Sequence, residues 1–251
     1  MVFFNDVLHS AHGDGMTGTQ GTDARAALVA RIAARYDFAS RWDRFHVRHR
    51  LALCPYETLL PHLPTSGTVL DIGCGFGLLG QFLAETRPQL HYAGADVDGR
   101  KIAVARRSFE SRSSKASASR GPLLFSGDVR TWTDRPAFFS AVLLLDVLYV
   151  VPEPLQKALL DFASRVLAPG PEAALVLKIL PPLRGKARWR TFVQESIMIH
   201  LLRKTRSSGA LFSSQDPGLY AGWGRALGFS CQQVDPHTHP PSVLLVFRRD
   251  T

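Results

Sequence analysis

The stretch Thr68–Gly77, TVLDIGCGFG, constrains the fold of this 251-residue chain more than any other. Its first half is apolar apart from Asp71 and predicts a buried strand. Gly73, Gly75 and Gly77 predict a tight turn that opens a helix. A strand, a glycine-rich turn and a helix in succession let a ligand approach the backbone at the carboxyl end of a doubly wound sheet. We therefore expect a ligand site at this corner of the fold.

Strands and helices alternate through the chain, which favours an α/β fold with a parallel sheet. A short link joins the last two strands and makes them antiparallel neighbours. We predict a doubly wound, seven-stranded, mostly parallel sheet whose last strand is antiparallel. The predicted strands are Thr68–Ile72, His91–Asp96, Leu123–Ser126, Ala141–Leu145, Ala173–Ile179, Ser230–Asp235 and Val243–Arg248. The predicted intervening helices are Leu78–Thr86, Gly99–Glu110, Glu153–Leu167 and Pro217–Leu227.

Helical segments are predicted before and within this alternation, in a single domain over residues 23–251. Residues 1–22 lack periodicity and are expected to form a tail. Residues 23–64 have apolar side chains at helical spacing and predict a helical cap over the glycine turn. Residues 180–214 interrupt the alternation between the fifth and sixth strands, and Arg188–Arg203 within them predicts an extra helix.

The composition limits the class of protein without choosing a partner. The net charge of +9 favours encounters with nucleic acid, anionic lipid or acidic protein. No apolar run reaches the roughly 18–20 residues that cross a bilayer, and the first residues do not read as a secretory signal, so we expect a cytoplasmic protein. The three cysteines are far apart and lack CxxC spacing, so neither a metal site nor a disulfide framework is expected.

Acidic residues stand at the ends of the first four predicted strands, namely Asp71, Asp96, Asp128 and Asp146. Because the carboxyl ends of parallel strands line one crevice, these residues should converge on one site. Asp96, about 20 residues beyond the glycines, is placed to accept both hydroxyls of a ribose. Asp128 can accept from the amine of a base while the Val129 N–H meets a ring nitrogen, and Asp71 can hold the turn or an amine.

The motifs together resemble those of class I S-adenosylmethionine-dependent methyltransferases. The pattern consists of Asp-x-Gly-x-Gly-x-Gly over Asp71–Gly77, Asp96, Gly127-Asp128 and Asp146. The dehydrogenase spacing Gly-x-Gly-x-x-Gly does not fit, because position 78 is Leu. Further likeness to the methyltransferase-11/12 type domain lies in Leu145–Tyr149, Val166–Gly170 and Leu227–Phe229. The chain also resembles methyltransferases of aryl polyene and fatty-acid-like biosynthetic clusters, through Arg48-His49-Arg50, Leu70–Gly75 and Asp146-Val147-Leu148.

The resemblance implies S-adenosylmethionine as the cofactor. The residues expected to contact it are Asp71, Gly73, Cys74, Gly75, Gly77, Asp96, Val97, Asp128, Val129 and Asp146, with Tyr36 closing over it. For Asp146, capping of the next helix is an equal alternative, and for Tyr36 it is core packing.

Three residues are candidate catalytic groups. Tyr149 follows the fourth strand, where a side chain can reach the transferred methyl, although an aromatic core residue is the alternative. Relatives often have His at that position. His46 and His49 share a face of the predicted cap helix and can act as general bases, although the arginines around them favour a solvated basic face.

The expected reaction is methyl transfer to a small organic molecule, for example a phenolic or carrier-bound acyl acceptor. The alternatives are an RNA methyltransferase and a non-catalytic cofactor-binding scaffold. We find no aromatic-basic interleaving of the kind that stacks bases, so nucleic acid is not favoured. The basic segment Arg188–Arg206 is a candidate surface for an acidic carrier protein or an anionic membrane.

Overall fold

The computed structural model describes residues 18–111, 121–132, 138–181, 216–236 and 242–250. The strands are β1 Gly67–Ile72, β2 Leu90–Asp96, β3 Leu123–Ser126, β4 Ala141–Leu145, β5 Ala174–Ile179, β6 Phe229–Val234 and β7 Val243–Arg249. The α-helices are α1 Gly18–Ala34, α2 Arg41–Leu53, α3 Leu78–Thr86, α4 Gly99–Glu110, α5 Glu153–Val166 and α6 Pro217–Ala226. Short 3-10 helices span Tyr56–His62, Val129–Thr131 and Leu148–Val150.

The seven strands form one sheet in the order β3-β2-β1-β4-β5-β7-β6. β1 pairs in parallel with β2 and with β4, so the strand order reverses between β1 and β4, where doubly wound folds place their ligands. β7 is antiparallel to both of its neighbours, β5 and β6. The predicted doubly wound sheet with an antiparallel last strand is confirmed, and β7 lies between its neighbours rather than at the edge.

Apolar side chains cover both faces of the central strands. The AVLLL run of β4 is buried over its first four residues, as expected for a strand with helices on both sides. On one face the core contains Ile32 of α1, Val47 of α2 and Phe82 of α3. On the other it contains Phe162 of α5 and Tyr220 of α6. Helices α1 and α2 therefore lie on the same side of the sheet as α3.

The amino-terminal helix departs from the prediction. α1 begins at Gly18, five residues before the predicted start of the cap at residue 23. Glycine and threonine have low helix propensity, but extending an existing helix is much easier than nucleating one. Residues 1–17 of the predicted tail and the predicted extra helix Arg188–Arg203 lie outside the described residues.

Helix length and polarity bear on a membrane location. Within the ranges given above, no helix combines the length and the apolar character needed to cross a bilayer.

Candidate functional site

The glycine turn between β1 and α3 is held against β2 by two backbone hydrogen bonds. The N–H groups of Gly73 and Cys74 both donate to the Ala95 carbonyl, at 2.7 and 3.0 Å. Gly75 has a φ of +54°, in the left-handed region that favours glycine. A Cβ at position 75 would meet only Cδ of Lys101, at 4.0 Å. The turn is therefore rigid, and it leaves open space at Gly75 where a ligand can approach the backbone.

Asp96 at the end of β2 is fixed by the backbone around it. Its Oδ2 accepts from the Gly75 N–H and its Oδ1 accepts from the Asp98 N–H, both at 2.8 Å. Each carboxylate oxygen has a second lone pair, so the group can still accept from two hydroxyls.

Two adjoining cavities meet at Asp96. The cap-side cavity, of 190 Å³, lies between the turn and α2 and is lined by His46, His49, Arg50, Leu53, Tyr56, Gly73, Cys74, Gly75, Phe76, Leu78, Asp96, Lys101, Leu145, Asp146, Tyr149 and Val150. The loop-side cavity, of 210 Å³, is lined by Ile72, Gly73, Ala95, Asp96, Val97, Asp98, Lys101, Gly127, Asp128, Val129, Asp146, Val147, Val150, Val151, Leu155 and Leu159. Most of the predicted site residues therefore come together around one continuous crevice.

The loop-side cavity contains Val97, Asp128 and Val129, as the sequence pattern predicts. Asp128 is also engaged by its neighbour, because the Arg130 Nη2 lies 2.5 Å from its Oδ2. The hydrogen bond from Arg130 lowers the pKa of Asp128 below its ordinary value. The base of a bound nucleoside would have to share this carboxylate with Arg130. Arg130 is only two residues from Asp128, so this constraint could have been predicted from the sequence.

Three predicted contact residues lie behind the turn, because the wall of neither cavity includes them. The Tyr36 hydroxyl donates to the Phe76 carbonyl at 2.7 Å, and the side chain is fully buried. The prediction that Tyr36 closes over the cofactor is therefore corrected, because Tyr36 supports the turn from behind and lines neither cavity. Gly77 faces Ala105 and Phe109 of α4, where any side chain would be crowded. Asp71 accepts from the Tyr92 hydroxyl at 2.8 Å, and burial raises the pKa of Asp71 to about 7.

Helix α2 presents both candidate histidines to the cap-side cavity. His46, His49, Arg50 and Leu53 recur at three- and four-residue spacing and share one helix face. The His46 ring lies 5.5 Å from the Phe76 ring, and the His49 ring stacks on Phe45 at 5.9 Å. The expectation of a solvated basic face is therefore wrong for the two histidines, because the interleaved Arg44 and Arg48 lie outside this face.

Burial sets the protonation of both histidines. Burial, with a smaller effect of Arg50, lowers the pKa of His46 to about 3. The same two causes lower the pKa of His49 below its ordinary value, so both rings are neutral at pH 7. Nδ1 of His49 is buried and has no hydrogen-bond partner among the described residues. An orphaned polar atom in a cavity wall is a typical sign of a missing ligand.

Tyr149 and Asp146 follow β4 and reach the cap-side cavity from the sheet. Tyr149 is 5% exposed and lines the cavity, so it is both packed and within reach of a ligand there. Asp146 has a φ of +59°, an uncommon conformation for a residue other than glycine. Its Oδ2 accepts from Arg50 at 2.5 Å and from Lys178 at 3.0 Å. The alternative that Asp146 only caps a helix is therefore wrong.

Comparison with known proteins identifies the domain. Residues 69–170 match a protein family described as a methyltransferase domain. Residues 69–170, less than half of the chain, are therefore similar to a methyltransferase domain. A stretch of 95 residues is 33% identical to ribosomal RNA small subunit methyltransferase G of Methylobacillus flagellatus, covering 34% of this chain and 46% of that protein. This chain therefore spans less than half of its curated relative.

Solved structures of methyltransferases share the fold. A SAM-dependent methyltransferase from Methanosarcina mazei has a TM-score of 0.57 and 18% identity, over 78% of this chain and 98% of that one. The pyocyanin biosynthetic protein PhzM has a TM-score of 0.62 and 16% identity, over 86% of this chain and 60% of that one.

S-adenosylmethionine is the cofactor that the match to a methyltransferase domain implies, and the site fits it. The open direction at Gly75 and the free lone pairs of Asp96 match a ribose beside the turn. The residues placed to hold the nucleoside are Asp96, Val97, Asp128 and Val129, and the backbone of Gly73, Cys74 and Gly75 is placed beside the amino-acid part.

Proposed function

We propose that the protein transfers a methyl group from S-adenosylmethionine to a small organic acceptor bound in the cap-side cavity. The supporting observation is that this cavity joins the glycine turn and Asp96 to His49 and Tyr149. The residues beside the ribose and the amino-acid part of the cofactor thus share one cavity with the candidate bases.

The proposed chemistry needs alignment and a base. The bound cofactor supplies an electrophilic methyl group on a sulfonium. The cavity walls hold the acceptor in line with it, and such positioning can supply roughly 7–11 kcal/mol of the barrier. His49 is neutral at pH 7 and can take the proton of an acceptor hydroxyl as the new bond forms. His46, with its pKa near 3, is too weak a base and serves to hold Phe76.

An apolar or aromatic acceptor body fits the approach to this cavity. Trp42 and Phe45 on α2 are 56% and 45% exposed, and their rings lie 6.5 Å apart. Phe45 in turn stacks on His49, so an aromatic surface leads from solvent to the cavity wall. A phenolic or acyl acceptor is favoured for this reason, and the pyocyanin biosynthetic role of PhzM is compatible with it.

Calorimetry with S-adenosylhomocysteine tests the cofactor site. Asp96→Asn should weaken binding about 10-fold or more, because one charged acceptor of two hydroxyls is lost. Asp37→Asn is the matched control, since the Asp37 side chain is 60% exposed and lines neither cavity, and it should change affinity less than about 3-fold. Equal affinity of both variants would contradict the placement of the ribose. Transfer of labelled methyl groups to pooled small metabolites then separates an enzyme from a binding scaffold.

RNA methylation is the second candidate, and the match to the ribosomal RNA methyltransferase favours it. The sequence of α2 also carries arginines beside the exposed Trp42 and Phe45, which supports this candidate. Binding to total RNA at low salt tests it, because phosphate contacts are strongest there. Micromolar binding together with labelling of RNA would replace the small-molecule proposal.

A further inference from the structure

A buried charge cluster joins the cap to the sheet at the inner end of the cap-side cavity. Arg50 comes from α2, Asp146 follows β4, and Lys178 is near the end of β5. Both cations contact the same carboxylate oxygen, Oδ2 of Asp146. The side chains of Asp146, Lys178 and Arg50 are 8%, 15% and 27% exposed. These three side chains are therefore more buried than those of an ordinary surface ion pair.

The cluster has one more positive charge than negative. Within the part of the chain that the structure describes, Asp146 is the only ion-pair partner of Arg50 and of Lys178. Lys178 also donates to Sγ of Cys54, at 3.8 Å. A guanidinium has five N–H donors and an ammonium three, so one donor of Lys178 and most of those of Arg50 remain available. Burying an uncompensated charge is costly, and an anion that enters the cavity would remove that cost.

The position of the cluster points to the acceptor rather than to the nucleoside. Asp96 and the glycine turn belong to β2 and β1, whereas Asp146 and Lys178 belong to β4 and β5. Neighbouring strands are about 4.8 Å apart, so β5 lies roughly 10 Å from β1 on the side away from Asp96. A small cavity of 20 Å³ beside Lys178 shares Tyr56, Leu145 and Asp146 with the cap-side cavity. The two cations thus border the region beyond the turn.

We propose that Arg50 and Lys178 bind a carboxylate of the methyl acceptor, so that the substrates are small organic acids with an apolar or aromatic body. This inference rests on the proposed function, since it names the substrate class of the same cavity. Arg50 reaches the acceptor from the wall of the cap-side cavity. Lys178 lines the adjoining small cavity and reaches the acceptor where the two cavities meet at Asp146, which holds both cations in place. The aromatic surface formed by Trp42 and Phe45 contacts the other end of the acceptor.

The experiment compares acids with their neutral amides on protein loaded with S-adenosylhomocysteine. The probes are 4-hydroxybenzoate against 4-hydroxybenzamide and hexanoate against hexanamide, and binding is measured by calorimetry or ligand-observed NMR. We expect the wild type to bind at least one acid about 10-fold or more tightly than its amide, because a hydrogen bond to a charged group is stronger than one to a neutral group. Lys178→Met and Arg50→Met should lose this preference and keep the affinity for the amide within about 3-fold.

Two controls keep the result interpretable. Lys157→Met removes an exposed lysine of α5 and should bind like the wild type. Lys178→Met leaves a balanced Arg50–Asp146 pair, so its melting temperature should equal or exceed that of the wild type, which shows that the variant folds.

Two outcomes would overturn the inference. Equal affinity of the wild type for acids and amides, including no binding of either, would show that no carboxylate site exists. A variant that loses affinity for S-adenosylhomocysteine but not for methylthioadenosine, which lacks the carboxylate, would assign the cations to the cofactor instead. Failure of the wild type to bind S-adenosylhomocysteine would contradict the proposed function itself. In that case the comparison of acids with amides on protein without cofactor would still show whether Arg50 and Lys178 bind a carboxylate.

Discussion

His49 is the residue on which the proposed chemistry most depends. Replacement by Gln keeps a polar side chain but removes the base, so kcat should fall about 10²- to 10⁴-fold for a hydroxyl acceptor. The affinity for S-adenosylhomocysteine, measured by calorimetry, should stay within about 3-fold. His91→Gln, on the exposed side of β2, is the control and should leave both quantities unchanged. A normal kcat in His49→Gln would mean that the acceptor reacts without this base.

The pH profile of the reaction offers an independent check on His49. Burial and Arg50 lower the pKa of this histidine, so the neutral, proton-accepting form persists below the ordinary histidine pKa of about 6.5. The acid limb of kcat/KM should therefore lie below about pH 6.5 and should be absent in His49→Gln. An acid limb above pH 7 would contradict the assignment.

Asp71 should make the fold less stable as pH rises. Its folded pKa is about 7, above the unfolded value of about 3.9, so the native state binds more protons between these values. The stability from the buried carboxyl is greatest below about pH 4 and is lost as pH rises to about 7. Asp71→Asn does not ionise, so its stability relative to the wild type should increase over this range by a few kcal/mol.

Urea unfolding at pH 4.5, 6 and 7.5 measures this difference for Asp71→Asn. Glu110→Gln, at an exposed position of α4, should show no comparable trend. A constant difference between wild type and Asp71→Asn across the range would show that Asp71 is ionised throughout.

At the scale of elements, the turn between β1 and α3 combines glycines at positive φ with open space. Gly75→Ala adds a methyl group to the space where the ligand approaches the backbone. The affinity for S-adenosylhomocysteine should therefore fall about 10-fold or more, because the methyl group would collide with the ligand. Gly228→Ala, at a φ of +79° with open surroundings, is the control for the cost of an alanine at positive φ. Both variants should lose about 1–2 kcal/mol of stability, and only Gly75→Ala should lose the cofactor. Equal affinities would place the ligand elsewhere.

The elements were predictable where the local sequence specifies their ends. α4 begins after Asp98, whose side chain caps it, and ends at Glu110, as predicted. The clustering of Asp96 and Asp128 was predictable from parallel strand ends. The partners of Asp146 were not, because Arg50 and Lys178 are 96 and 32 residues away and only the folded chain brings them together. The apolar run around Lys178 was a usable signal, since a lone lysine in a buried strand needs a partner.

Tyr36 shows the limit of reasoning from a resemblance. The sequence places an aromatic residue before the first strand, but it does not show on which side of the turn the ring lies. The hydroxyl of Tyr36 reaches the Phe76 carbonyl from the core, so it holds the turn without facing either cavity. Packing of α1 against α3 decides that orientation, and no local pattern encodes it.

At the scale of the whole molecule, strand order has a consequence for synthesis. β6 joins the sheet only through β7, which follows it in the chain and inserts between it and β5. Until β7 is in place, β5 therefore stays an open edge and β6 has no strand of this sheet to pair with. A released chain that ends before β7 should thus expose two unpaired strands and aggregate more readily than the full chain.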